Sequence, residues 1–295
     1  MRTILCCDGG GGLGILPAKF IANHPSLIKD ADMYAGTSTG GLLMLGLASG
    51  LAPMEIVRFY RDRCPQIFRR AKWATLWPLF RERYSEKPLE AALREILGDK
   101  TLADLPKDKR ILITATDYNR ERAENALFFF RNESPYTLFD AARATSAAPT
   151  YFKPYIKGNR AFLDGGLCSN SPADCALAEA ISWWGTGERI HLISFGCGLQ
   201  PPDPPTRVTR APWTFLDDVI SIGIGGGIGR VDTLLREVAD GFKDWVTYDR
   251  YDFMLDRSIA MDDARPETLA YLESRAADCY VTLNGKPLMA KVQAA

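Results

Sequence analysis

An α/β fold, a three-layer sandwich with a mostly parallel central sheet covered by helices on both faces, is the architecture this 295-residue sequence predicts. Two observations carry the expectation. Short apolar runs of strand character alternate along the chain with helical runs, the pattern of a sheet buried on both sides. Glycine-rich turns also separate strand from helix twice near the start, in "LCCDGGGGLG" (Leu5–Gly14) and "YAGTSTGG" (Tyr34–Gly41). Glycine weakens local order unless the backbone must do something other residues cannot, so two such turns so close together point to one site built from both.

Taken in order, "RTILCC" reads as a buried strand, "GILPAKFIANH" as a helix and "DADMYAG" as a second strand. "GGLLMLGLASG" is apolar nearly all round, which fits a buried helix. "LEAALREIL" sets Leu89, Leu93, Ile96 and Leu97 on one helical face. "RILITATDY" and "ENALFFFR" read as paired strands and "RIHLISFG" as a central one. Helical runs are expected after Pro172, Asp232 and Pro266. The Pro-rich "LQPPDPPTRVTRAPW" reads as a long surface loop, and composition does not change across it. One domain spanning 1–295 is therefore expected, with its motifs in 3–196 and a C-terminal strand-and-helix portion in 213–295.

Composition bounds the function. A hydrophobic share of 46% and a charged share of 24% are those of a globular protein with a sizeable core. Lys+Arg and Asp+Glu both total 36, so no global charge points to nucleic acid. No basic segment leads into a long apolar run and no stretch reaches about eighteen apolar residues, so neither a signal peptide nor a spanning helix is expected. The seven cysteines form no C-x-x-C pair, and His24 and His191 stand far apart. Reduced thiols in a cytoplasmic protein, with no metal or cofactor, are the expectation.

The two glycine turns carry the chemistry. Gly36, Ser38 and Gly40 form G-x-S-x-G between a strand and a helix. That context puts a serine on a sharp turn, with small residues two positions either side so that strand and helix can approach. Ser38 is then a nucleophile beside a helix N-terminus, or a small polar residue capping a tight turn. "DGGGGLG" also has two readings. Gly9, Gly11 and Gly14 satisfy G-x-G-x-x-G, with Asp32 where a ribose-binding acid would stand. Alternatively its uncovered N–H groups form an oxyanion hole. A serine needs a base. His191 follows Ser38 and Asp164 in the chain order of an α/β-hydrolase triad, but its apolar strand makes it read as a satisfied core histidine, and His24 reads as the end of the first helix. A carboxylate takes its place: in "AFLDGGLCSNSPA" a strand delivers Asp164 and Gly165–Gly166 turn the backbone sharply. Alone, that element reads equally as an Asp-Gly turn. Its apolar neighbours Phe162, Leu163 and Leu167 would raise the Asp164 pKa. Asp8 is expected to hold the amides of its own loop.

Together the glycine turn, "GTSTGG", "ATSAAPTYFKP" and "FLDGG…SNSPA" resemble, in content and order, the motifs of patatin-like phospholipases over residues 3 to about 196. The resemblance implies an α/β acyl hydrolase that cleaves fatty-acyl esters of lipids through a Ser–Asp dyad and an acyl-enzyme, without a catalytic histidine. It implies Ser38 as nucleophile, Asp164 as its partner in the D-G-G element, and Gly10, Gly11 and Gly12 as the loop supplying oxyanion-hole amides. Leu13 stands where that family usually has an arginine, which removes a charge-assisted contribution. A nucleotide-binding oxidoreductase and a catalytically weakened lipid-binding protein are the competing classes.

A lipid substrate raises the question of how the protein meets a lipid. Between Arg61 and Arg83, seven basic residues (Arg61, Arg63, Arg69, Arg70, Lys72, Arg81, Arg83) face two acidic ones (Asp62, Glu82), with Trp73, Leu76, Trp77 and Phe80 at helical spacing. Arg69, Arg70, Lys72, Trp73 and Trp77 are thus candidates for peripheral contact with a membrane surface, or the rings belong to a core with a solvated basic rim. "SIGIGGGIGRV" (221–231) makes a poor phosphate loop and reads as a pliant segment near the site or as an irregular helix start.

Overall fold

The computed structural model describes residues 1–69, 82–118, 126–201, 212–283 and 286–288. Its frame is a ten-stranded sheet. The strands are β1 (Arg2–Cys7), β2 (Met33–Gly36), β3 (Arg110–Asp117), β4 (Leu127–Phe130), β5 (Tyr155–Lys157), β6 (Arg160–Asp164), β7 (Ile190–Phe195), β8 (Val246–Phe253), β9 (Cys279–Leu283) and β10 (Lys286–Leu288). They run in the order β10-β9-β8-β7-β1-β2-β3-β6-β5, with β4 also paired to β3. The centre, β8-β7-β1-β2-β3, is parallel. Both flanks are antiparallel. The sheet is therefore mixed, parallel only where helical crossovers connect the strands.

Helices cover both faces: α1 (Ile15–Asn23), α2 (Thr39–Ala48), α3 (Pro53–Ile67), α4 (Glu86–Leu97), α5 (Leu138–Thr145), α6 (Ala173–Trp184), α7 (Pro212–Gly241) and α8 (Pro266–Arg275). Alternate side chains of a strand point to opposite faces, and β1 shows the result. Leu5 and Cys7 join an apolar cluster with Phe20 of α1, Leu43 of α2, Ile56 of α3, Leu89 of α4, Ala141 of α5 and Leu272 of α8. Ile4 and Cys6 join a second cluster with Ala176 of α6 and Leu235 of α7. Each fully buried aliphatic side chain contributes about 1.5–3 kcal/mol, so both faces of a single strand are committed to the core.

Two element assignments need correction. The helix expected after Asp232 instead runs through it, as the 30-residue α7. The run 221–231 is the interior of that helix and not its start. Most of the Pro-rich segment, 202–211, lies outside the described residues. Among the described residues no helix is long and apolar enough to cross a membrane.

Candidate active site

Ser38 sits between β2 and α2 with φ 52° and ψ −124°. A non-glycine residue there costs of order 1–3 kcal/mol and persists only when its surroundings hold it. They do so from both sides. The Ser38 N–H donates to Thr145 Oγ1 at 2.7 Å. Thr37 N–H donates to the Cys7 carbonyl at 3.2 Å, and its hydroxyl donates to the Ser169 carbonyl at 2.8 Å. The Tyr60 hydroxyl donates to the Thr39 carbonyl at 2.9 Å and lies 2.6 Å from Thr39 Oγ1. Glycine is obligatory at the flanks: a Cβ on Gly40 would stand 2.2 Å from the Cys7 carbonyl oxygen, and one on Gly36 would stand 2.5 Å from that of Gly40.

Asp164 ends β6, opposite Ala115 of β3. Its N–H donates to the Ala147 carbonyl at 3.0 Å, its Oδ1 accepts from Gly166 N–H at 2.8 Å, and its carbonyl accepts from Thr116 Oγ1 at 2.8 Å. The residue is 6% exposed. Burial raises its pKa from 3.8 to about 6, against the opposing effects of the Gly166 N–H and the Ser38 hydroxyl. A carboxylate in that range is a far better proton acceptor at neutral pH than an exposed one.

The glycine loop is held at three points. Gly9 and Asn170 form a reciprocal pair: Gly9 N–H donates to the Asn170 carbonyl, and Asn170 Nδ2 donates to the Gly9 carbonyl, each at 3.2 Å. Gly12 N–H donates to the Met261 carbonyl at 2.7 Å. In this structure the Gly12 donor is therefore engaged, unlike its two predecessors. Among the described residues the N–H groups of Gly10 and Gly11 have no acceptor, which leaves them free for an oxyanion. The third anchor is Asp8. Its carboxylate does not hold its own loop's amides; Arg250 Nη2 bonds Asp8 Oδ2 at 2.7 Å and Asp252 Oδ2 at 2.9 Å, and Arg250 Nη1 donates to Ser194 Oγ at 3.0 Å. All three ionisable groups are buried. Burial pushes the Asp8 pKa up and the Arg250 cation pulls it back. Leu13, in the position of the family arginine, is 2% exposed and part of the apolar core.

Ser38 lies where two cavities meet, and Met261, Ala148 and Tyr151 also line both. One, of about 80 Å³, is apolar, walled by Leu42, Phe59, Ile67, Phe68 and Leu89 among others. The other, of about 70 Å³, brings Ser38 and Asp164 together with Gly10, Gly166, Asn170, Leu167 and Ile224. The arrangement presents a hydroxyl, a raised carboxyl and uncovered N–H groups to an apolar slot. Acyl transfer from an ester needs those groups.

The dinucleotide reading fails on Asp32. Its carboxylate accepts from Thr3 N–H at 2.8 Å and from Arg2 Nη1 at 3.1 Å, at the start of β1, whereas the glycine loop leaves the strand's other end. In open α/β sheets ligands bind at the carboxyl ends of the strands. His191 is satisfied, but not in the core: its side chain is 26% exposed and Nε2 pairs with Asp249 Oδ2 at 2.7 Å. His191→Gln is accordingly expected to keep ester turnover within about threefold of wild type; a folded variant slowed by orders of magnitude would restore a histidine to the mechanism. His24 follows α1 and its Nδ1 bonds the Phe20 carbonyl at 2.9 Å.

Of the candidate membrane residues, Arg69 is exposed, while Arg70, Lys72, Trp73 and Trp77 lie outside the described residues. Nearby Arg61 and Arg63 are paired with Glu273 and Glu95. Sequence reasoning assigned no role to Thr145 or Asn170, though both stand inside motifs it quoted. Met261 and Arg250 carried no local signal, since each lies more than 200 residues beyond Ser38; Ile224 stands in the glycine-rich run that was read as a pliant segment near the site.

Residues 5–177 match the family model described as patatin-like phospholipase. A cGAMP-activated phospholipase of Vibrio cholerae is 32% identical over 206 residues, covering 60% of this chain and 57% of its own. One of Escherichia coli is 34% identical over 242 residues, covering 72% and 66%. The 85/88 kDa calcium-independent phospholipase A2 of Rattus norvegicus is 29% identical over 243 residues, covering 70% and 28%. The chain thus spans less than two thirds of the length of each.

Proposed function

Because this chain belongs to the patatin-like phospholipase family, we propose that it is a serine acyl hydrolase acting on fatty-acyl esters of lipids, with Ser38 as nucleophile and Asp164 as its proton acceptor. The observation that carries the reading is the meeting of a strained Ser38 and a buried Asp164 in one cavity, with the Asp164 pKa at about 6 and the Ser38 hydroxyl among the groups that set it. The same proposal takes the chain as one hydrolase unit, since both apolar clusters share one sheet.

In the first step Ser38 Oγ attacks the ester carbonyl carbon while its proton passes to Asp164. The carbonyl oxygen gains the negative charge and is received by the N–H groups of Gly10 and Gly11. The tetrahedral species collapses, the alcohol leaves with the proton held by Asp164, and an acyl-serine ester remains. Water then attacks that ester, giving a proton to Asp164, and the second collapse returns the proton to Ser38 and releases the fatty acid. The apolar cavity suits the acyl chain, because burying methylene groups there removes them from water.

The dyad predicts its own pH profile. With Asp164 active as the carboxylate, kcat/KM for a soluble short-chain nitrophenyl ester is expected to fall about tenfold per pH unit below about 6 and to level off above it. A profile that stays flat from about pH 5 to 8 would remove Asp164 as the base. Two relatives are named for activation by cGAMP, so the assay is run with and without cGAMP.

A further inference from the structure

The glycine-rich stretch of α7 is used neither by the dyad nor by the sheet. Gly223, Gly225, Gly226, Gly227 and Gly229 fall within seven positions of one helix, and a Cβ added at any of them meets none of the described residues within 4 Å. The elbow glycines are the opposite case, each pressed against backbone. Packing therefore does not require glycine in α7, yet each one weakens the helix relative to alanine. Ile222–Gly229 also contains no polar or charged side chain, although Ile222 is 74% exposed.

Residues two apart on a helix point to nearly opposite sides. Ile224 faces the cavity that holds Ser38 and Asp164, so Ile222 faces away from the body of the protein. Leu167, which lines that cavity too, is 41% exposed. Further along, the helix is seated where Val231, Leu235 and Ala239 enter the second core and the Tyr248 hydroxyl donates to Asp232 Oδ1 at 3.0 Å. Arg230 closes the soft stretch; its side chain is 67% exposed and reaches Asp174 Oδ2 at 3.5 Å.

We propose that Ile222–Gly229 is the surface through which the active-site cavity meets a lipid aggregate, and that the glycine-softened helix yields there to admit the ester to Ser38. This inference rests on the acyl-hydrolase reading above. A lipid is the occupant that fits: the stretch offers no charged or polar side chain for a protein partner to recognise, it is continuous with the cavity that takes the acyl ester, and a basic residue flanks it as on interfacial helices.

Two variants of the full chain test it, with vesicles of mixed phosphatidylcholine and phosphatidylglycerol. Ile222→Asp changes an exposed side chain, so the fold should persist by thermal melting. Vesicle co-sedimentation should fall on the order of tenfold, the loss expected when an isoleucine no longer buries in an apolar phase. Gly225→Ala/Gly226→Ala/Gly227→Ala should melt at higher temperature. Local opening of the stretch should become rarer by on the order of a hundredfold, which would slow vesicle-lipid hydrolysis at least tenfold while a soluble short-chain ester is still cleaved. Wild-type vesicle binding by Ile222→Asp overturns the proposal. So does a hotter-melting triple variant with undiminished vesicle hydrolysis. If the wild type cleaves neither substrate, the hydrolase reading fails, and the Ile222→Asp binding result alone decides whether this surface meets lipid.

Discussion

Ser38→Ala is expected to remove ester hydrolysis, by on the order of a millionfold if the enzyme is an efficient one, with little change in stability. The contrast follows from which atoms hold the elbow. Thr145 receives the Ser38 backbone N–H, and Thr37 and Thr39 make the flanking bonds. None of these needs the Ser38 hydroxyl. Alanine at φ 52° is no less strained than serine, so no relief offsets the loss. Hydrolysis of a nitrophenyl ester alongside thermal melting measures both quantities; appreciable turnover by a folded variant would exclude Ser38 as the nucleophile.

Asp164→Asn should lose activity as completely, yet leave the protein more stable near neutral pH. The folded-state pKa of about 6 lies above the ordinary 3.8. Between those values the folded state binds more protons than the unfolded one, so stability falls as pH rises through that window and stays lower above it. The difference corresponds to about 3 kcal/mol of destabilisation by the ionised carboxylate. Asparagine carries no charge and keeps an oxygen to accept the Gly166 N–H. A gain of about 1–3 kcal/mol near pH 7.5, shrinking towards zero near pH 4, is the expected result of denaturant titrations at the two pH values. A stability loss at neutral pH would mean that the ionised form is better solvated than its burial implies. Combining the variant with Ser38→Ala should slow hydrolysis little further, because the two residues act as one unit.

Much of this was legible because it was local. The buried strands β1, β2 and β7 carry continuous apolar runs, and the two turns bearing Ser38 and Asp164 are marked by glycines whose need is steric. Strand β8 was not legible: "VTYDRYDF" places Arg250 and Asp252 at buried positions, and charges there make sense only once Asp8, some 240 residues earlier, is seen to complete the group. Helix α7 was hidden by its own glycines, which lower helical preference and moved the expected start towards Asp232. That the Gly12 N–H is engaged was not legible either, since the carbonyl that accepts it belongs to Met261. The pairing of β3 with β4 was legible as two adjacent strand runs, whereas the antiparallel pairings of β6 with β3 and of β9 with β8 depend on strands further apart in the chain.

The buried cation at Arg250 bears on where this protein can be divided. The recognisable family region ends at residue 177, so sequence comparison invites a cut shortly beyond it. A chain cut there would carry Asp8 into the interior without its counter-charge, and removing one partner of a buried ion pair costs about 3–5 kcal/mol. That penalty would fall on the residue from which the Gly9–Gly12 loop springs. The stretch that family comparison recognises thus leaves out the partner of a buried charge, and the segment carrying Arg250 is tied to β1 by electrostatics as well as through the hydrogen-bonded strands β7 and β8.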